Sequence, residues 1–150
     1  MTVVLKQIDS DAFSFYFEND IKQIAQIETI VETIQENWKL NNKVQFTLNL
    51  VLEELICNVL LYGFKVVDER QFINVNVRLL DAEIIINIID NGAIFNPLEH
   101  QSAPKETSLE EKAIGGLGIH LVKSMTNYLK YNRINEQNQL TLSIPIIIES

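Results

Sequence analysis

The chain has 150 residues, a net charge of −8 and a pI near 4.7, with 47% apolar and 21% charged residues. This composition is typical of a globular protein, and the length predicts one domain spanning residues 1–150. The acidic balance argues against a nucleic-acid or anionic-membrane surface, because such partners require clustered Lys and Arg. A protein or small-molecule partner is therefore favoured.

The cellular compartment is suggested by the cysteine count and the apolar runs. The one cysteine, Cys57, excludes an intrachain disulfide, and we expect its thiol to be a small buried group. The N-terminus lacks a basic flank followed by a long apolar stretch, and no apolar run approaches the roughly 18 residues that span a bilayer. We therefore expect a cytoplasmic protein.

The first half of the chain predicts a strand pair and two helices. The pieces TVVLKQI and AFSFYFE are strand-like and separated by polar residues, so they predict a hairpin. Apolar residues then recur every three or four positions up to Trp38, which predicts an amphipathic helix that Asn19 or Asp20 caps and that ends at Asn41 and Asn42. A second helix is predicted over residues 44–62 and closed by a glycine.

The second half predicts four strands and one more helix. FINVNVRLL and EIIINIID alternate apolar and polar residues, which predicts a hairpin with one solvated face. Residues 91–114 show no steady period and predict a long loop, a feature that is usually functional. GGLGIHLVKSMTNYL predicts a glycine turn that opens a third helix, and YLKYNR and QLTLSIPIII predict the last two strands.

This order of elements predicts the fold class. Because the strands are joined largely as hairpins, we expect an α+β protein built as a two-layer sandwich, with a mixed, mostly antiparallel sheet and the helices packed on one face.

Polar residues inside the apolar run LVLEELICNVLLYGF are the first functional signal. Glu54 and Asn58 are four residues apart and share a helix face, whereas Glu53 points about 100° away and pairs at that spacing with Asn49. A carboxylate with an amide suits a magnesium or general-base site. The alternative is structural: Glu53 and Asn49 form a solvated edge, and Glu54 bonds a neighbouring backbone group.

Two further motifs are weak when taken singly. DNGAIFNP begins with Asp90 at the end of an apolar strand, where an acid can accept a hydrogen bond from a ligand amino group, although such sequences are common turns. IGGLGIHLV places glycine N–H groups at the start of a helix, where they can bind phosphate oxygens. A glycine turn before a helix is, however, often only a turn.

Together, the order and spacing of the three motifs resemble the N, G1 and G2 boxes of the GHKL ATPase superfamily, which has the Bergerat fold and includes histidine-kinase-like ATPase domains. The resemblance covers nearly the whole chain. Its size, N-terminal strand pair, short lid and GGLG sequence resemble the anti-sigma factor serine/threonine kinases. These bacterial proteins bind a sigma factor and phosphorylate an anti-anti-sigma partner with a STAS domain.

The resemblance implies roles for four residues in the first two motifs. Glu54 matches the glutamate that acts as general base, and Asn58 matches the asparagine that ligates Mg²⁺. Asp90 matches the aspartate that reads the adenine amino group, and Gly92 matches the glycine that lines the base pocket.

It also implies roles toward the end of the chain. Gly115, Gly116 and Gly118 match the glycines at the phosphates and at the hinge of the lid, and Thr141 matches a threonine near the adenine.

One position departs from the family pattern. Many members have a basic residue or histidine facing the phosphates four residues after the N-box asparagine, and this chain has Tyr62. Lys105 and Lys112 in the lid could supply the positive charge, although both also fit ordinary surface positions.

The resemblance therefore implies an ATP-Mg²⁺-dependent serine/threonine kinase that acts on a small protein partner. An alternative of another class is an ATP-binding module that sequesters a protein without transferring phosphate. A histidine kinase is less favoured, because His100 lies in the lid and His120 is expected to be partly buried in the third helix. Homodimerisation through the N-terminal strands would fit the family.

Overall fold

The computed structural model describes residues 3–65, 68, 70–99 and 118–146. In this part of the chain, six strands form one sheet in the order β1-β2-β3-β4-β6-β5, and their five pairings are all antiparallel. The predicted α+β class is confirmed, with an antiparallel rather than mixed sheet. The strands are β1 Val4–Asp9, β2 Ala12–Glu18, β3 Phe72–Leu80, β4 Glu83–Asp90, β5 Tyr128–Ile134 and β6 Gln137–Pro145.

The described ranges contain three α-helices, α1 Ile27–Trp38, α2 Asn42–Asn58 and α3 Gly118–Met125. A 3₁₀ segment, Ile21–Gln26, leads into α1, and a π-helical turn, Val59–Gly63, continues α2. Both long predicted helices are present, and Gly63 closes the second one as expected.

The connection between α1 and α2 corrects one sequence expectation. Helix α1 ends at Trp38, where Lys39 takes the left-handed conformation with φ 54°. Asn41 begins the next helix, because its side chain accepts a hydrogen bond from the Val44 N–H at 2.9 Å. Asparagine favours either end of a helix, so its presence alone does not distinguish a stop from a start. On the N-terminal side of α1, the Asp20 side chain accepts a hydrogen bond from the Lys22 N–H at 3.0 Å. Asp20 therefore caps the 3₁₀ segment that leads into α1.

The core lies between the helices and one face of the sheet. Alternate residues of the central strands point into it, including Ile84, Ile86 and Ile88 on β4. On β6, Leu142 and Ile144 are fully buried in the same core. The apolar periodicity of the strands therefore reports the buried face correctly.

Helix α2 with its π-helical turn is the central element of the helical layer. By length and composition the segment Asn42–Gly63 could span a membrane, so the expectation that no such run exists is wrong on that criterion. Its side chains nevertheless pack into the protein, because Leu48, Leu52 and Ile56 have no exposed surface. The segment is the core helix of this domain.

The strand register determines which residues meet near the end of α2. Asp90, the last residue of β4, is paired with Ile73 on one side and with Asn138 on the other. Asp90 and Asn138 both point to the face that the helices cover, and both are buried. This register creates a polar position at the edge of an otherwise apolar core.

Candidate functional site

Asp90 is a carboxylate with only 3% of its surface exposed. Its Oδ1 accepts hydrogen bonds from the Gly92 N–H and from Asn138 Nδ2, each at 2.9 Å. Burial raises the pKa of Asp90 above its usual value, while these two bonds and the charge of Arg133 oppose that rise. The carboxylate is thus removed from water but partly compensated by donors and a cation.

Asn138 is a residue of the site that sequence analysis missed. Its Nδ2 donates to Asp90 Oδ1 and to the Ala93 carbonyl at 2.8 Å, and its Oδ1 accepts from the Phe95 N–H at 3.3 Å and from the Tyr131 hydroxyl. A signal was available, because Asn138 lies in phase with the apolar residues of the last strand. Recognising it required extending that strand towards its N-terminus.

The turn after β4 is held tightly against the end of α2. The Ala93 N–H donates to the Gly63 carbonyl at 2.9 Å, and an Arg133 Nη donates to the Gly92 carbonyl at 2.8 Å. A Cβ atom on Gly92 would lie 2.7 Å from the Gly63 oxygen and 3.0 Å from Asp90 Oδ1. Only glycine allows this backbone approach.

A narrow cavity opens beside Asp90. Its lining is mostly apolar and aromatic, with a few polar groups, which is the usual character of a small-molecule site. Such a cavity suits a flat, apolar ring that carries a hydrogen-bond donor for the carboxylate. The lining residues are Leu55, Asn58, Val59, Ile88, Asp90, Phe95, Pro97, Tyr131, Asn138 and Leu140.

Asn58 of α2 lines this cavity, and Glu54 lies one helical turn before it. Asn58 is 3% exposed, and its Oδ1 has no hydrogen-bond partner within the described ranges. Glu54 is half-buried; burial raises its pKa, and the neighbouring charge of Glu53 raises it further. A Cβ atom on Gly118 would overlap the Glu54 carboxylate, so the first residue of α3 touches this side chain.

The structure brings together five of the residues singled out from the sequence. Asn58 and Asp90 share the cavity, Gly92 supports Asp90, and Glu54 with Gly118 lies where α2 meets α3. Gly115 and Gly116 of the third motif lie outside the described residues, as do Lys105, Lys112 and His100.

Thr141 is not brought to the cavity. It is paired with Asn87 on β4, and its Oγ1 accepts a hydrogen bond from Asn87 Nδ2 at 3.0 Å. Residues three apart on a strand point to opposite faces of the sheet, and Asn138 already occupies the cavity face beside Asp90. Thr141 therefore lies on the face away from the helices.

Tyr62, the departure from the family pattern, has a structural partner. It lies half-buried in the π-helical turn and stacks on Phe95, with ring centroids 5.6 Å apart and an interplanar angle of 24°. This stacking joins the end of α2 to the loop that follows β4. Tyr62 thus packs behind Phe95, which lines the cavity, and supplies no positive charge.

Four other residues differ from the burial that the sequence suggested. His120, expected to be partly buried, is exposed on α3, and Cys57, expected to be buried, is half-buried. Glu53 and Asn49, considered as a solvated edge, are also half-buried, and Asn49 Oδ1 has no partner in the part of the chain that is described.

Comparison with known proteins agrees with the fold. The family model of the histidine kinase-like ATPase domain matches residues 17–144, so the chain belongs to that family. Membership implies an ATP-binding domain. The chain is also similar to the serine/threonine-protein kinase BtrW of Bordetella bronchiseptica, with 29% identity over 110 residues, which are 73% of this chain and 75% of that protein.

The close approach at Gly92 gives a prediction with a matched control. Gly92→Ala should lower the free energy of unfolding by about 1–3 kcal/mol, because its Cβ meets the rigid Gly63 carbonyl. Gly63→Ala should cost less, because its Cβ meets only ordinary contacts at 3.5 Å or more. Urea denaturation of both variants measures the difference, and equal stabilities would contradict the proposed steric constraint.

Proposed function

We propose that this domain is an ATP-Mg²⁺-dependent serine/threonine protein kinase of the anti-sigma regulatory type. In this proposal it is a cytoplasmic protein that binds a sigma factor and phosphorylates an anti-anti-sigma partner with a STAS domain. The observation that carries the proposal is the apolar cavity that contains Asp90 and Asn58, with Glu54 one helical turn away. Similarity to a relative named as a serine/threonine-protein kinase supports it.

In the proposed complex the adenine ring occupies the cavity and Asp90 accepts a hydrogen bond from its amino group. Oδ1 of Asp90 is already engaged by Gly92 and Asn138, and no described residue donates to Oδ2. A buried acceptor of this kind gains most from a ligand that supplies the missing donor. The apolar lining contributes by removing the ring from water.

Asn58 is the proposed ligand of Mg²⁺. Its buried side-chain oxygen lacks a hydrogen-bond donor among the described residues, and hard cations prefer oxygen ligands of this kind. The cation, when bound, would neutralise phosphate charge. We propose that the N–H groups around Gly115, Gly116 and Gly118 bind the phosphate oxygens.

Glu54 is the proposed general base. Phosphoryl transfer to a protein requires a residue that accepts the proton of the attacking hydroxyl group. A carboxylate with a raised pKa is a better proton acceptor than an ordinary one, and burial gives Glu54 this property.

We further propose a homodimer, which the family resemblance suggests.

Asp90→Asn tests the nucleotide site. An amide at this position presents a donor where the adenine amino group requires an acceptor, so the Kd for ATP should increase at least about tenfold. The matched control is Asp81→Asn, which makes the same change at an exposed turn where φ is 53° and asparagine is tolerated. Calorimetric titration with ATP and Mg²⁺ measures the Kd of both variants. An unchanged Kd in Asp90→Asn would exclude Asp90 as the residue that binds the adenine.

Glu54→Gln tests the chemical step. It should reduce phosphate transfer about 10²–10⁴-fold while changing the Kd for ATP little, because the general base is lost and the base pocket is intact. Glu53→Gln is the control at the adjacent carboxylate. Incubation with labelled ATP and STAS-domain proteins measures the transfer. Transfer that survives in Glu54→Gln would exclude the general-base role, and ATP binding without any transfer by the wild type would favour the sequestering module.

The pH dependence of transfer provides a further test. Glu54 must be ionised to accept a proton, and its pKa is raised. On acidification the rate of transfer should therefore begin to fall at a higher pH than it would with a general base of ordinary glutamate pKa. Glu53→Gln removes one cause of the raised pKa and should move this fall to lower pH. Profiles of kcat/KM against pH for the two proteins give the comparison, and coincident acid limbs would argue against Glu54.

A further inference from the structure

We propose that Asn138 is a positioning residue that makes the site selective for a 6-aminopurine. It donates a hydrogen bond to one carboxylate oxygen of Asp90, Oδ1, and so leaves the other oxygen, Oδ2, to accept from the ligand. This inference rests on the proposed nucleotide site and extends it, because it explains how one carboxylate can be restricted to a single kind of donor. It concerns a residue that matches none of the three motifs.

The hydrogen bonds of Asn138 fix its orientation. A side-chain amide has two N–H donors and an oxygen with two lone pairs. Here both donors are used, by Asp90 and the Ala93 carbonyl, and the oxygen accepts from the Phe95 N–H and the Tyr131 hydroxyl. The reversed amide would place an N–H group against the Phe95 N–H and its oxygen against two acceptors, the Asp90 carboxylate and the Ala93 carbonyl. The surrounding groups therefore allow one orientation.

Asn138 consequently acts through Asp90 and not by contact with a ligand. All four of its hydrogen-bonding positions are occupied and only 4% of its surface is exposed, so it has no capacity left for a base. It donates to the same oxygen, Oδ1, that accepts from the Gly92 N–H. Two donors on one oxygen hold the carboxylate in place and leave Oδ2 as the acceptor.

The selectivity follows from the chemistry of that remaining oxygen. An ionised carboxylate oxygen accepts hydrogen bonds and donates none, so it favours an amino group and disfavours a carbonyl group on the ring. Protonation would reverse the preference, because a carboxylic acid can donate. Asn138 opposes protonation, since its hydrogen bond lowers the pKa that burial raises.

The charged and titratable groups around Asp90 are consistent with this role. Strand β5 contributes Arg133, which favours the ionised carboxylate, and Tyr131, whose own pKa is raised by burial and whose hydroxyl is committed to Asn138. Helix α2 contributes the neutral amide of Asn58 to the same cavity, with Glu54 one turn away, and β3 contributes the apolar Ile73 beside Asp90. Asn138 is the neighbour that bonds the carboxylate directly from another strand.

The experiment compares ATP with inosine triphosphate, which carries a 6-oxo group in place of the 6-amino group. The quantity measured is the ratio of Kd for inosine triphosphate to Kd for ATP, by calorimetric titration with Mg²⁺. This ratio is independent of the fraction of protein that is folded, because both ligands sample the same active molecules. It therefore separates a positioning role from simple loss of stability, which thermal unfolding records in parallel.

Two variants and one control are needed. Asn138→Ala removes the donor and should lower the ratio about tenfold relative to the wild type. Asn138→Asp keeps the shape and should lower it further, because the second carboxylate favours protonation of Asp90, and Asp90 protonated on Oδ2 can donate to the 6-oxo group. Asn87→Ala removes one hydrogen bond on the opposite face of the sheet and should leave the ratio unchanged.

The outcomes separate this inference from the function on which it rests. If the wild type binds ATP selectively and Asn138→Asp retains the wild-type ratio, the positioning role is overturned and the nucleotide site stands. If the wild type fails to bind ATP, or does not distinguish the two nucleotides, the proposed reading of adenine by Asp90 is wrong and the inference falls with it. A ratio that falls in both Asn138 variants but not in Asn87→Ala supports the proposal.

Discussion

The buried carboxylate of Asp90 is the constraint on which the arrangement of the site depends. An ionised carboxylate removed from water costs several kcal/mol unless donors and positive charge compensate it. Here the compensation comes from three separate segments, the turn at Gly92, strand β6 through Asn138 and strand β5 through Arg133. The end of the sheet is therefore organised around one side chain, although the rest of the core is held by apolar packing.

This organisation extends from the sheet into the helical layer. The Gly63 carbonyl at the end of the π-helical turn accepts from the Ala93 N–H, and Tyr62 of the same turn stacks on Phe95. A π-helical turn is wider than an α-helical turn and commonly occurs at functional sites. The backbone bond and the stacked rings join α2, which carries Glu54 and Asn58, to the loop whose Phe95 lines the cavity.

The sequence predicted most of the elements because their signals are local. Alternation in β3 and β4 and the recurrence of apolar residues in α1 and α2 report the face that each element buries. The alternation of β6 puts Asn138 in phase with the apolar residues of that strand. That Asn138 rather than Thr141 meets Asp90 follows from the register between β4 and β6, which pairs Asp90 with a residue 48 positions away. Long-range pairing is the information that a local pattern lacks.

The two carboxylates of the site illustrate how environment can divide their roles. Burial raises the pKa of both Glu54 and Asp90, but the Asn138 and Gly92 bonds and the Arg133 charge oppose the rise at Asp90, whereas at Glu54 the neighbouring Glu53 adds to it. The compensated carboxylate is suited to remain an acceptor for a ligand, and the uncompensated one is suited to take up a proton. Placing the compensating groups on β5 and β6, away from the helix that carries Glu54, allows one site to contain both.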